Sequence, residues 1–308
     1  MQQPQDEPAK SSCQKMLWFT AMGAGPHNDY EDFIQAALLS AKEHAPSLVP
    51  VLLFCGEPNE LTRWFERNGG TVIQHHASFL DEFDVQPNVA YRDDLKRHEG
   101  AFLRLDIPLV MDSIVAEDLV DLTNVSTTHV LYTDADVMFV GDDVSTCTMP
   151  LPEQLSMSPQ HVKGRPENSG VMVFNVPSFR EEFPSFLQHG REQKFKFVYD
   201  NGWLTSYREG KNKTWGALPD TMNWKAYWGG DADVTILHWH GPKPRRQSCI
   251  ECFLKHGRQE GWEKQHGCEK CLPIYVGMVN MGNASDGGDM YARMLDVFEG
   301  YSQQAQRL

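Results

Sequence analysis

No stretch of this 308-residue chain approaches the ~18 to 20 consecutive apolar residues of a membrane span. The opening MQQPQDEPAKSSCQK is polar and lacks the apolar core of a signal peptide, so residues 1–15 read as a disordered lead-in. Positive charge is scarce as well. Lys and Arg number 28 against 42 Asp and Glu, the formal net charge is −14, and the basic residues form no stripe. Binding through a phosphate backbone needs a basic footprint, which argues against nucleic acid as the main partner. A small anion held locally by a metal stays open. Low-complexity tracts and internal repeats are missing too. What remains is 41% hydrophobic residues in a length that suits one large α/β domain or two smaller ones.

Short apolar runs alternate with amphipathic ones. KMLWFTAMGAG (15–25), LVPVLLFC (48–55) and TVIQHH (71–76) read as buried strands. NDYEDFIQAALLSAKEH reads as a helix with Asn28 as N-cap and a core face of Phe33, Ala37, Leu38 and Ala41. NELTRWFERNGG reads as a second helix, stopped by paired glycines. A helix at about 94–106 is expected to end before Pro108, and a Phe-rich one to cover roughly 178–189. SGVMVFNV (169–176) and VTILHWHGPKP (234–244) read as later strands, and a last helix should bury Met290, Met294, Val297, Phe298 and Tyr301. Strands alternating with helices imply an α/β fold whose mostly parallel sheet is flanked by helices.

The segment HVLYTDADVMFV (129–140) begins as an apolar strand and then places Asp134 and Asp136 two residues apart, around the small Ala135. Residues two apart in an extended chain share a face, so two like charges meet there and call for a positive partner. In open α/β sheets ligands bind beyond the carboxyl ends of the strands, where these aspartates and His238 are expected to lie. Two carboxylates and one imidazole suit Mn²⁺ or Mg²⁺ with positions left for ligand oxygens. The plainer alternative is an Asp134 that caps a turn and a His238 that is a hydrogen-bonded core residue.

VLYTDADVMFV, ENSGVMVFNV and ILHWHGPKP, in that order, resemble the motifs of glycosyltransferase family 8, the retaining group that includes glycogenin and bacterial galactosyltransferases. The resemblance runs with gaps from about residue 17 to 244. It implies a GT-A nucleotide-diphospho-sugar transferase fold over residues 16–244 and a nucleotide sugar donor, with a UDP-sugar as the expected one. By position it makes Asp134, Asp136 and His238 the ligands of Mn²⁺ or Mg²⁺. Thr20, Tyr30, Arg104, Asp134, Ala135, Asn168, Ser169, Gly241 and Lys243 become donor contacts, Tyr30 by stacking on the base and Lys243 by meeting the diphosphate. Asp200 and Asn201, in YDNGWLT, become the groups near the anomeric carbon, where an oxygen tolerates developing positive charge. Arg104 reads alternatively as half of a surface ion pair, and Asp200 as a helix N-cap, a role compatible with catalysis. The acceptor is a glycan, a protein or a small molecule.

Cys249-x2-Cys252 and Cys268-x2-Cys271, fifteen residues apart, have the spacing of a structural four-thiolate zinc site and mark an insertion over 245–273. Two disulfides are the competing reading. Zinc is preferred because Cys13, Cys55 and Cys147 read as unpaired thiols of a reducing compartment. Residues 274–308 are expected to pack as a helical segment on the catalytic domain. The expected location is the cytoplasm, or the Golgi lumen if an N-terminal anchor has been removed. The N-x-S/T triplets at Asn124, Asn212 and Asn283 lend the secretory route weak support. Two rivals remain: a haloacid-dehalogenase-type phosphatase, which also places DxD after an apolar strand, and a non-catalytic zinc-ribbon binding protein.

Overall fold

The computed structural model describes residues 13–23, 28–84, 99–162, 165–193, 200–226, 228, 233–240, 243–244 and 284–308. Gly241, the four clustered cysteines, the 245–273 insertion and Asn283 lie outside the described residues.

Apolar residues of the first strand, β1 (Lys15–Gly23), split by alternation between two cores. Met16 and Trp18 face one side of the sheet and Leu17 and Phe19 the other, all fully buried. A strand covered on both faces needs no polar side, which explains its continuous apolar run. The strands β2 (Leu48–Cys55), β3 (Thr71–Gln74) and β4 (Val125–Thr133) extend the same sheet in parallel around β1. Beyond β4 the sheet continues through β7 (Arg165–Asn175), β6 (Leu155–Val162) and β8 (Gly216–Ala217) in the order β3-β2-β1-β4-β7-β6-β8. The β4–β7 and β7–β6 pairs are antiparallel. A second, three-stranded sheet pairs β5 (Val137–Phe139), β10 (Ile236–His238) and β9 (Trp224–Lys225).

Helices Asn28–His44 and Ala284–Ala305 cover one face and helices Ile107–Glu117, Val176–Glu192 and Asp200–Gly210 the other. The four residues expected to form the core face of the first helix are buried. Helix Glu60–Arg67 starts in a capping box between Asn59 and Thr62, and Gly69 takes the positive φ of 80° that follows its end. The C-terminal helix docks through the Phe33–Phe298 ring pair and a 2.9 Å hydrogen bond from Tyr301 to Glu43.

Four expectations are corrected. Pro108 ends nothing: it sits in the first turn of helix Ile107–Glu117, where its missing N–H has no intrahelical partner to lose. Val297 is exposed, and Tyr291 fills the buried position instead. The Asp134–Asp136 stretch does not continue the strand; β4 ends at Thr133, the chain bends, and β5 begins a different sheet. Cys13 and Cys147 are joined in a disulfide, beside two hydrogen bonds in which Gln14 N–H donates to the Thr146 side-chain Oγ1 and Thr146 N–H to the Gln14 carbonyl. The compartment argument for zinc at the four-cysteine cluster falls with that bond, because disulfides persist where the surroundings oxidise.

Candidate active site

Strands β1 and β4 run side by side in parallel, and Gly23, the last residue of β1, and Asp134, the residue after β4, line the same cavity. The register of β10 against β5 sets His238 opposite Val137, the neighbour of Asp136, and Trp239 N–H donates to the Asp136 carbonyl at 2.9 Å. The three side chains therefore converge from two stretches of chain a hundred residues apart. Their ligand atoms all lie within 4.8 Å of one another, with His238 Nε2 at 3.3 Å from Asp136 Oδ1 and 3.7 Å from Asp134 Oδ2. They form part of the wall of a cavity of about 300 Å³, together with Met22, Gly23, Tyr30, Arg104, Ala135, His240 and Lys243.

Cations meet both carboxylates. Arg104 Nη2 lies 2.6 Å from Asp134 Oδ1, and Lys243 Nζ bonds to Asp136 and, at 2.8 Å, to the Trp239 carbonyl. Arg104 is no surface residue; it is 4% exposed, spans to Asp200 Oδ2 at 3.5 Å, and donates to the Ser169 carbonyl at 2.7 Å. Burial by itself would raise the Asp134 carboxyl, but Arg104, His238 and Lys243 outweigh it and hold the group below the usual carboxylate range. Burial raises Asp200, only partly offset by Arg104. The two carboxylates that Arg104 bridges are thus poised differently.

His238 is oriented from behind. Its Nδ1 lies 2.8 Å from Asn223 Oδ1 and 3.0 Å from Lys225 Nζ, and Asn223 Nδ2 donates to Asn168 Oδ1 at 2.9 Å. A proton on Nδ1 would be accepted by Asn223 Oδ1 and would leave the Nε2 lone pair facing the aspartates. That tautomer is the one a metal ligand requires. Burial, and after it Lys225, keeps His238 well below the ordinary imidazole range, and burial likewise depresses Lys225. Two carboxylates and a neutral imidazole on one point form a donor set suited to a hard divalent cation.

Asn168 and Ser169 do not reach the cavity. The Asn168 side chain accepts from Gly170 N–H, Asn223 and Lys225, and Ser169 serves Arg104 through its carbonyl. Thr20 is buried within β1, and the wall beside it is made by Ala21, Met22 and Gly23. Asp200 opens helix Asp200–Gly210, and Asn201 donates to the Glu167 carbonyl at 3.2 Å. Lys225, Asn223, Gly170 and His240 are absent from the sequence-based set. For the first two no local signal exists, since NWK lies outside every quoted motif and joins a single turn to a two-residue strand; Gly170 and His240 stand inside quoted motifs and had a signal available.

No protein-family model and no curated protein matches the chain. Its sheet order and helical layers are those of the GT-A glycosyltransferase fold. The apo-form glycosyltransferase GlyE of Streptococcus pneumoniae TIGR4 superposes with a TM-score of 0.50 and 19% identity, over 75% of this chain and 56% of that one. The galactosyltransferase LgtC, solved with donor and acceptor sugar analogs, superposes with a TM-score of 0.50 and 16% identity, over 85% of this chain and 96% of that one. Among the described residues no helix is long and apolar enough to cross a membrane.

Proposed function

We propose that the chain is a metal-dependent, retaining glycosyltransferase that draws a sugar from a nucleotide diphosphate donor, a UDP-sugar in the first instance. The observation that carries this reading is the convergence of Asp134, Asp136 and His238 on the wall of one cavity at the carboxyl edge of the sheet. Mn²⁺ or Mg²⁺ held by these three would offset the charge that builds on the departing diphosphate. Lys243 and Arg104 add fixed positive charge facing the same space, and Tyr30, over whose ring Lys243 lies at 5.7 Å, offers a flat surface for the base. Ala135, small and on the wall, keeps the approach open.

Asn201 Oδ1 is a buried acceptor that makes no hydrogen bond among the described residues, and Asp200 Oδ2, also without one, has the Arg104 ion pair at 3.5 Å. Such oxygens ask for a reason; here they are assigned to the sugar, stabilising positive charge as its bond to phosphate breaks. The acceptor attacks the same face, in an internal-return mechanism. Asn168 and Ser169 act by holding Lys225 and Arg104 in place. The Cys13–Cys147 bond supports an oxidising lumen over the cytoplasm. The phosphatase rival loses ground to the fold and to the position of DxD after the fourth strand.

A panel of nucleotide sugars, each scored for thermal stabilisation and hydrolysis with and without Mn²⁺, tests the proposal. One UDP-sugar should act only with the metal, and Asp136→Asn should abolish the effect. No response to any nucleotide sugar in either condition overturns it.

A further inference from the structure

A second group of metal-ligating side chains lies away from the aspartates, where β2 ends, β3 runs out and residues 99–103 begin a helical turn. Cys55, the last residue of β2, places its Sγ 3.2 Å from His76 Nδ1, and the same nitrogen lies 3.1 Å from Glu99 Oε1. All three ligand atoms fall within 4.8 Å of one another. Cys55 and Glu99 are buried while the His76 side chain is 75% exposed, so one side of the cluster faces solvent. Its backing is fixed: Ala77 N–H donates to Glu99 Oε1 at 3.1 Å. One residue before His76 and two after it, His75 and Ser78 both bond to the buried Asp106 carboxylate, which locks the loop that carries His76.

The arrangement is not that of a nucleophile and its base. In such a relay the two ring nitrogens divide the work, one facing the nucleophile and the other the carboxylate. Here thiol and carboxylate both meet Nδ1, so three potential ligands point at one spot. We propose that Cys55, His76 and Glu99 form a second cation site, for Zn²⁺. A thiolate with an imidazole excludes magnesium and calcium and suits zinc, and the exposed side leaves the fourth tetrahedral position to water. Zinc bonds to sulfur, nitrogen and oxygen imply ligand separations of about 3.3 to 3.6 Å, a few tenths beyond those present. On binding, the thiol gives up its proton to solvent and the sulfur bonds the ion as thiolate. The bound ion ties the ends of two strands to Glu99, the residue next to Gly100 and Ala101 of the donor cavity. The site stands whether or not the chain transfers sugars.

The test uses the full chain, with zinc itself and cobalt as the probes. Zinc per chain is measured by elemental analysis after equilibration at micromolar free Zn²⁺, and the cobalt form is read by its thiolate charge-transfer absorption. His76→Ala and Cys55→Ala should each lose about one zinc equivalent relative to the wild type, and both should lose the same increment of cobalt absorption. Because His76 is exposed, His76→Ala should keep its circular dichroism and melting temperature without added metal, which separates ligand loss from unfolding. Equal zinc content and equal cobalt spectra in the wild type and both variants would overturn the proposal and leave the cluster a hydrogen-bonded one.

Discussion

Gly170 lies flat against His238: a Cβ on residue 170 would meet the ring Cε1 at 2.3 Å and Nδ1 at 2.7 Å. The imidazole reaches the aspartates only because β7 has no side chain there. Gly170→Ala should therefore push the ring off its position. We expect a fall of about 10- to 100-fold in Mn²⁺ affinity, the range seen when a ligand's support is removed, read by metal titration of activity. Unchanged metal dependence would show that the ring has room to move.

Asp134→Asn should abolish transfer and also lower stability, since Arg104 would be left with Asp200 alone. The expected loss is roughly 2 kcal/mol, below the ~3 to 5 of a fully broken buried pair because one carboxylate remains. Denaturant unfolding against the wild type measures it, and Arg104→Met in the Asp134→Asn background should recover part of the loss.

Lys225→Met replaces a buried amine by an apolar chain of similar length. Asn168 Oδ1 and Asn223 Oδ1 each lose one donor, which should cost about 1 to 3 kcal/mol. Metal affinity should fall as well, because His238 loses part of its support. An effect on stability alone would make Lys225 a fold residue only.

In metal-free protein, acid should weaken the fold through His238. Burial, and after it Lys225, holds its folded pKa well below that of an ordinary imidazole. As pH falls through about 6.5, the unfolded chain takes up a proton that the folded one refuses, so stability declines; above about pH 7 the term vanishes. Between pH 7.5 and 5.5, His238→Gln should lose less stability than the wild type by about 1 kcal/mol. Parallel pH profiles would contradict the buried, neutral imidazole.

The Cys13–Cys147 bond closes a loop of 134 residues. A chain-entropy account gives about 5 kcal/mol for such a loop, and typical measured values are about 2 to 4. The double variant Cys13→Ser, Cys147→Ser should melt lower, and peptide mapping without reductant should recover the crosslink from the wild type. Two alkylatable thiols at these positions would refute it.

Much of the fold was legible because strand and helix periods are local. The apolar runs at 15–23 and 48–55, and the spacing of Phe33, Ala37, Leu38 and Ala41, each report burial without reference to the rest of the chain. Pro108 misled for the same reason: the residue that ends one helix can begin the next, and only the surrounding packing chooses. Val297 fits the helical stripe, yet the final helix is rotated so that Tyr291 and Phe298 meet Trp239.

The sequence by itself determined the layered α/β order, and its motifs named Asp134, Asp136, His238, Arg104 and Lys243 as one set. Tertiary structure alone decided that Arg104 bridges Asp134 to Asp200, that Asn223 and Lys225 orient His238, and that Cys13 reaches Cys147. The reason is range: a side chain's period can be counted along the chain, whereas a buried charge is balanced by whatever the sheet register brings within 3 to 4 Å of it.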